Sequence, residues 1–576
     1  MGFLAINSLF YKDSVSDYNN VLVPLEKAQR HSSVEVEYAR RRSAEGNGST
    51  GDDSGQKKEA GALKGSESCG EDGVMRITSA DYKPYTIEGL RAEVMEDVAA
   101  SGHDSAYDLK SKVINKAIQD IGMGSYNWEL FILCGFGWFA DNLWLQGIAV
   151  TLPSLQAEFG ISETRVRYTT CALFVGLCLG AAFWGVGSDI MGRRLAFNLT
   201  LSIAGVFGIA VGAAPTWIGT CGLFAALGTG VGGNLPVDGA LFLEFLPTAS
   251  GRHLTLLSVW WPVGQLGASL IGWGFLGSHY DIDKGWRYFV YTMETMTFVM
   301  FLARFLLFHL FESPKFLLSR GRQAEAVAVV HGMAFKNKTK TWLTEDILNE
   351  IGGHPEKIQD QKLSSMEIVK RKLSSFSAER ISPLFHTRKL GIATVLLWFC
   401  WLTIGIGYPL FNAFLPHYET YRNYAITSVV GVPGSIIACY TVDIPYVGRK
   451  GTMAVATMLS GIFLFLFTIS SGASYQLAFS SIEAFFQNAM YGVLYAYTPE
   501  VFPAPNRGTG TGISSFLNRI GGSCAPIIAA NIPGASPNAP IFVSGALILA
   551  AFVAMVFLPI ETRGKQMLGE GSNKKG

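Results

Sequence analysis

Charge is scarce in this chain. Of its 576 residues 16% are charged and 49% hydrophobic, too little polar surface to wrap one large soluble core. The little charge present is balanced, with 46 Lys and Arg against 45 Asp and Glu, so no nucleic acid or other polyanion is expected as a partner. Cysteine is sparse as well. Cys134, Cys171, Cys178, Cys221, Cys400, Cys439 and Cys524 fall in apolar stretches without paired spacing, which excludes a disulfide framework and a metal site and marks them as packing residues. The glycine runs at 228–233 and 508–512 lack the Lys-Ser/Thr of a phosphate loop. No nucleophile and base stand together, so neither an enzyme nor a cofactor is expected. Residues 1–12 show no basic segment leading into an apolar core, and no cleaved signal peptide is expected.

What the chain does have is apolar runs of about 20 residues, the length that crosses a bilayer. They predict spans at 129–152, 168–187, 195–214, 217–242, 255–277 and 287–310, then 390–415, 424–442, 451–471, 475–498, 509–531 and 539–559. The expected fold is an all-α polytopic membrane protein of twelve helices in two six-helix halves, at 128–311 and 390–560. Around them lie a polar N-terminal tail at 1–106, a central loop at 312–389 and a C-terminal tail at 561–576. Gly, Ser and charge dominate 40–75, which predicts disorder there. Leu109, Val113, Ala117 and Ile121 recur every four residues, predicting an amphipathic helix over 107–127 that lies on the membrane surface. Lys and Arg number 20 in the loops on one side and 5 on the other, counting Arg287 at the edge of the sixth span, with 14 of the 20 in the central loop. That bias places both termini in the cytoplasm, so the sequons at Asn47, Asn198 and Asn337 are not expected to carry glycans.

Two loop motifs recur in one register. Asp189-Ile-Met-Gly192-Arg193-Arg194 is echoed by Asp443-Ile-Pro-Tyr-Val-Gly448-Arg449-Lys450, 256 residues on (448 − 192). Glu244-Phe-Leu-Pro247 followed by Arg252 is echoed at the same offset by Glu500-Val-Phe-Pro503 followed by Arg507. Chance matches one short string more readily than two with their spacing intact, so the membrane domain reads as a duplication.

The string Gly185 to Arg194, of the form Gly-x-x-x-Asp-x-x-Gly-Arg-Arg between two spans, resembles the signature loop of the major facilitator superfamily. The resemblance covers about residues 110–565. Gly233-Asn-Leu-Pro-Val-Asp238, Glu312-Ser-Pro-Lys-Phe-Leu317 and Tyr497-Thr-Pro-Glu-Val-Phe-Pro503 are similar to the synaptic-vesicle-protein and organic-ion branch in a fungal-type form. The tail Pro559-Ile-Glu-Thr-Arg-Gly-Lys565 is shared with proton-coupled sugar and phosphate carriers. The resemblance implies a cytoplasmic gate of Asp189, Arg193, Arg194, Glu244, Arg252, Arg449, Glu500 and Arg507, which latches that side shut during alternating access. The second copy departs from the pattern, since Asp443 stands five residues before Gly448 instead of three.

Ionisable residues at bilayer depth cost several kcal/mol unless paired, neutral or facing water, so each is a functional candidate. Asp141 lies 12 residues into the first span, roughly 18 Å at the helical rise, and is the candidate for proton coupling. Arg519 in the eleventh span sits at similar depth and suits a substrate carboxylate or phosphate, or an internal ion pair with Asp141 or Glu483. Glu483, Gln487 and Tyr491 repeat every four residues on the tenth span and form a polar stripe expected to line the cavity. Asn488, Asn412, Tyr408, Asn234, Asp238, Gln265 and Gln146 are further cavity candidates, with Trp144 and Trp138 as aromatic walls. Glu294 and Arg304 on the sixth span have no assigned role.

The expected function is proton-coupled symport of a small polar or charged organic solute by a monomer, in the plasma membrane or a vacuolar or endomembrane. Two alternatives stand beside it. A proton-coupled efflux antiporter is disfavoured because span five reads Trp261-Pro-Val-Gly-Gln-Leu-Gly267 and not the antiport-associated Gly-Pro-x-x-Gly-Gly. A non-transporting sensor or vesicle protein gains little from costly groups such as Asp141 and Arg519.

Overall fold

The structure, a computed structural model, describes residues 12–28, 86–99, 106–247, 250, 252–276, 285–306, 308–353, 381–414, 421–442, 444, 447–469, 472–502, 507–531 and 538–562. Among these residues there is no named strand, only an isolated bridge between Leu22 and Thr341. The stretch read as disordered, 40–75, lies outside the described residues, as does Asp443.

Twelve spans are present among the described residues. In order, the first five are Ser125–Phe159, Tyr168–Met191, Arg193–Ala213, the pair Trp217–Val231 and Asn234–Phe245 broken at Gly232-Gly233, and Trp260–Leu276. The sixth is Gly285–Leu306, and Arg388–Phe414, Tyr421–Thr441, Gly448–Ile469, Ala473–Val501, Arg507–Asn531 and Ala539–Val556 are the seventh to twelfth. Nine described helical segments are long and apolar enough to cross a bilayer on those grounds alone. The first, tenth and eleventh fall short because they carry the polar residues: Asp141, Asn142 and Gln146; Glu483, Gln487 and Asn488; Asn518 and Arg519. The spans that look least like membrane helices therefore hold most of the candidate site. Leu179, Phe183, Ile218, Val299, Val395 and Ile469 are exposed on other spans, an apolar belt suited to lipid.

The halves repeat their internal partnerships. Span one packs on five as seven packs on eleven, two on four as eight on ten, and three on six as nine on twelve. Even the prolines within the first and seventh spans, Pro153 and Pro409, keep the 256-residue register (409 − 153). Between halves, the second span lies along the eleventh and the fifth along the eighth.

The glycine run of span four does what close helix approach requires. A Cβ on Gly228 would sit 2.6 Å from the Leu173 carbonyl oxygen and 3.1 Å from Gly176 Cα in span two. Gly228→Val is therefore expected to lower stability by about 1–3 kcal/mol or more, the usual cost of overpacking, read as a lower denaturation midpoint in detergent.

The helix Ala106–Ile121 corrects the surface-helix expectation. Val113, Ile114, Ala117, Ile118 and Ile121 are fully buried, and the cover is protein: this helix packs on the central-loop helices Gln323–Lys336 and Glu345–Gly352. Trp342 donates from Nε1 to Asp120 Oδ2 at 2.8 Å. Lys110 Nζ donates to Gln323 Oε1 at 2.7 Å, and burial lowers the Lys110 pKa. The N-terminal segment joins the same unit, where Val23 N–H reaches the Thr341 carbonyl at 3.0 Å and Thr341 N–H returns to Val21 at 2.9 Å. Amphipathic periodicity marks a face that needs covering without saying what covers it. Asn337 ties this unit to the first span, accepting from Tyr126 N–H at 2.9 Å and donating to Asn127 Oδ1 at 3.0 Å.

Candidate functional site

At the face where spans three and nine begin, two matching ionic knots hold the duplicated loops. Gly192 and Gly448 have φ of 102° and 61°, left-handed turns that favour glycine. Each releases a run of backbone N–H groups at a helix start, and a carboxylate from the segment after span six or twelve receives them. Glu312 Oε1 accepts from Arg193 N–H at 2.9 Å and Arg194 N–H at 3.3 Å. Glu561 accepts from Arg449 N–H at 3.2 Å and Lys450 N–H at 3.1 Å. The helix-start dipole adds to both contacts. Burial pushes the Glu312 carboxyl above its ordinary value, opposed by bonds from the Ser313, Arg193 and Arg194 amides and by the Arg194 charge.

The side chains complete each knot. Arg193 Nε pairs with Glu244 Oε1 at 2.9 Å, and Arg449 Nη2 with Glu500 Oε1 at 2.8 Å. Both pairs lie inside one half, so neither bridges the halves. Arg194 turns instead toward the Leu310 carbonyl at 3.5 Å. The side chains of Asp189, Arg252 and Arg507 lie outside the described ones. Glu312→Ala is expected to destabilise the start of span three by about 1–2 kcal/mol, as loss of an N-terminal cap does. Glu561→Ala should do the same at span nine; denaturation midpoints of the two variants check this.

Deeper in, spans one, five, seven and ten bring together an aromatic cluster. Trp138 stacks on Trp261, centroids 4.8 Å apart and planes at 16°. Tyr495 stands edge-on to Trp261 at 4.8 Å and to Trp401 at 4.7 Å. Tyr491 lies 5.9 Å from Trp261 and 5.4 Å from Tyr408. The indole N–H groups of Trp138 and Trp261 have no hydrogen-bond partner, whereas Trp401 donates to Thr498 Oγ1 at 3.0 Å. Because Trp138 and Trp401 come from opposite halves and both touch Tyr495, the halves meet at this cluster.

One turn beyond Trp138, Asp141 is 4% exposed with its Oδ1 unpartnered. Arg519 is close enough to act on it electrostatically yet forms no salt bridge. Its guanidinium crosses to the first half, donating from Nη1 to the Leu177 carbonyl at 3.1 Å and from Nη2 to the Gly232 carbonyl at 3.2 Å. Tyr495 lies within electrostatic reach of both charges. A buried guanidinium held by neutral carbonyls is a stronger donor than its acceptors require, so an incoming carboxylate or phosphate would be a better partner.

The other candidates divide. Gln265 Nε2 reaches Asn142 Oδ1 at 3.1 Å, joining spans five and one. Asn234 sits beside the Gly137 carbonyl at 3.5 Å with its Oδ1 unpartnered. Gln146, Gln487 and Asn412 are half-buried. Asn488 donates back to the Ala484 carbonyl at 2.8 Å.

Asp238 and Trp144 are fully buried, with Asp238 Oδ1 and Trp144 Nε1 unpartnered. Arg304 Nη2 holds Asp238 Oδ2 at 2.7 Å, both side chains fully buried. The same guanidinium donates to the Leu133 and Phe197 carbonyls at 2.9 and 3.0 Å and covers the Phe197 ring at 3.7 Å. The pair therefore ties spans one, three, four and six into one scaffold, which gives Arg304 the role that spacing along one helix did not reveal. Trp144 is fully buried against Phe224 of span four. Glu483 also departs from the stripe reading: it accepts from Ser460 Oγ at 3.0 Å on span nine. Eight residues on a helix turn the side chain by about 80°, so Glu483 is turned toward span nine while staying in electrostatic reach of Tyr408 and Tyr491. Glu294 is buried against Gly205 and Gly208 with neither carboxylate oxygen hydrogen-bonded.

Trp261, Tyr495, Ser460, Glu312 and Glu561 are the residues that sequence reasoning did not assign. Tyr495 continues the four-residue repeat past Tyr491, a signal that was available.

Two pseudo-symmetric halves that meet at an aromatic and ionic centre are the architecture of a membrane transporter. The Major Facilitator Superfamily model matches residues 130–442 and 423–573, and the chain belongs to that superfamily, in the branch that contains the synaptic vesicle 2-related proteins. MFS siderochrome iron transporter 1 of Ceriporiopsis subvermispora (strain B) is 41% identical over 525 residues, covering 85% of this chain and 99% of that protein. Synaptic vesicle 2-related protein of Xenopus laevis is 26% identical over 507 residues, 81% of this chain and 86% of the relative. Among solved structures, the xylose transporter XylE from E. coli in a partially occluded inward-open conformation shares the fold, with a TM-score of 0.58 and 18% identity over 77% of this chain and 100% of that one.

Proposed function

We propose that this transporter is a proton-coupled symporter of a small polar or charged organic solute, working by alternating access. The observation that carries the reading is the Asp141–Arg519 centre: a buried carboxylate with an unpartnered oxygen beside a guanidinium that reaches across to the other half. An ionised carboxylate so placed is costly unless something compensates it. Proton binding at Asp141 and solute binding at Arg519 are two ways to change that balance, and doing both together is symport. Substrate oxygens take over Arg519 from the Leu177 and Gly232 carbonyls, which frees the eleventh span from the second and fourth. The halves then rock about the aromatic cluster. The paired loops at the Arg193 and Arg449 knots face the cytoplasm, as do both termini, and the knots stiffen each half so that it moves as one body.

The test is reconstitution of the full chain in liposomes carrying a trapped pH dye. A panel of organic acids, amines, vitamins, sugars, phosphate and ferric siderochromes, the last suggested by the name of the 41%-identical relative, is added one by one. The expected result is that one class moves protons in the same direction as itself. Proton movement opposite to the solute contradicts symport, and no solute-dependent signal across the panel contradicts transport of these classes.

A further inference from the structure

The second half holds a carboxylate that the centre does not use. Glu483 is 2% exposed on span ten, and it lies 12 residues from Tyr495, roughly 18 Å along the helix and away from the face of the ionic knots. Ser460 Oγ on span nine donates to Glu483 Oε1 at 3.0 Å, and Tyr408 Oη on span seven lies 2.8 Å from that same Oγ. With Glu483 ionised its carboxylate only accepts, so the serine proton goes to Glu483 and the phenol donates to Ser460. Tyr408 in turn touches Tyr491 of the aromatic cluster. Three side chains from three helices thus form one continuous, directed hydrogen-bonded row between a membrane-buried acid and the edge of the central site.

We propose that Glu483 is a second proton-binding site, wired to the centre through Ser460 and Tyr408. The inference rests on the proton-coupled reading above. A proton arriving on Glu483 turns the hydroxyls round: the carboxyl O–H donates to Ser460 Oγ, the serine proton passes to Tyr408 Oη, and the phenol proton leaves through water to the Asp141 carboxylate. Each hydroxyl gives one proton and gains one, so the row ends with Glu483 ionised, one proton delivered and the hydroxyls back in the observed orientation. Two hydroxyls in series favour this over a direct contact, since a hydroxyl both donates and accepts. Tyr408 and Tyr491 are both in electrostatic reach of Glu483. On the other helices packed along span ten, the buried or half-buried titratable residues at membrane depth are Cys400 on span seven, Tyr424 and Cys439 on span eight, and Arg519 and Cys524 on span eleven.

The test needs no transported solute. The full-length protein in phosphatidylcholine vesicles is titrated while infrared difference spectra follow the protonated-carboxyl C=O band, for wild type, Glu483→Gln, Ser460→Ala and Tyr408→Phe. A titrating band lost in Glu483→Gln, shifted in frequency in Ser460→Ala, and slower to respond to a pH jump in Tyr408→Phe is the expected pattern. Should Glu483→Gln not fold, the other two variants carry the test. A Glu483→Gln spectrum identical to wild type, or a band indifferent to both hydroxyl deletions, overturns the proposal. If the bands behave as expected and liposomes show no proton-linked flux, it is the symport reading that fails and the relay that stands.

Discussion

Asp141→Asn is expected to abolish accumulation of solute against a gradient while leaving equal exchange of labelled for unlabelled solute intact. The amide matches the carboxyl in shape and keeps an oxygen for hydrogen bonding, but it has no proton to release, so the step that links proton and solute is lost and the site remains. The replacement also removes a buried carboxylate that has an unpartnered oxygen, and burying a charge costs more than burying an amide. Denaturation of the variant is therefore expected at or above the wild-type midpoint. Measured together, exchange, accumulation and stability separate a coupling residue from a structural one: a structural carboxylate would lose stability and exchange along with accumulation.

The second large effect lies in the first half. Arg304→Met leaves Asp238 fully buried without its partner and strips donors from the Leu133 and Phe197 carbonyls. Breaking a buried pair from one side costs about 3–5 kcal/mol, whereas replacing both partners by apolar residues is often neutral. Asp238→Leu combined with Arg304→Met should accordingly recover much of what Arg304→Met loses. Denaturation midpoints of the single and double variants decide this. A double variant no better than the single would mean that the carbonyl bonds, and not the stranded charge, dominate.

Twelve apolar runs and two motifs in one 256-residue register make the fold legible in the sequence, because bilayer thickness and duplication leave periodic marks there. Parts of the centre were legible for a related reason. Charge is so expensive at bilayer depth that Asp141 and Arg519 stand out in apolar surroundings, and the structure places them together. The polar residues Asp238 and Glu483 stand out equally, yet they are held inside their own halves by Arg304 and Ser460. Cost identifies a group that needs compensation; which neighbour supplies it depends on helix packing. Trp261 and Tyr495 were missed for the converse reason, since aromatics are ordinary in membrane helices and only the stack with Trp138 singles them out. Glu312 and Glu561 lie in motifs visible in the sequence, and their task of capping spans three and nine needs the folded loop to be seen. The amphipathic pattern at 109–121 fitted lipid and protein equally, and the central-loop helices supplied the cover.

Coupling through Asp141 means that a proton gradient drives solute uphill. Wild-type proteoliposomes with an imposed inward proton gradient, given the solute class that the panel identifies, should accumulate it above the outside concentration. Accumulation should collapse on adding a protonophore and should be absent in Asp141→Asn. Uphill uptake that persists in the protonophore, or in Asp141→Asn, would contradict it.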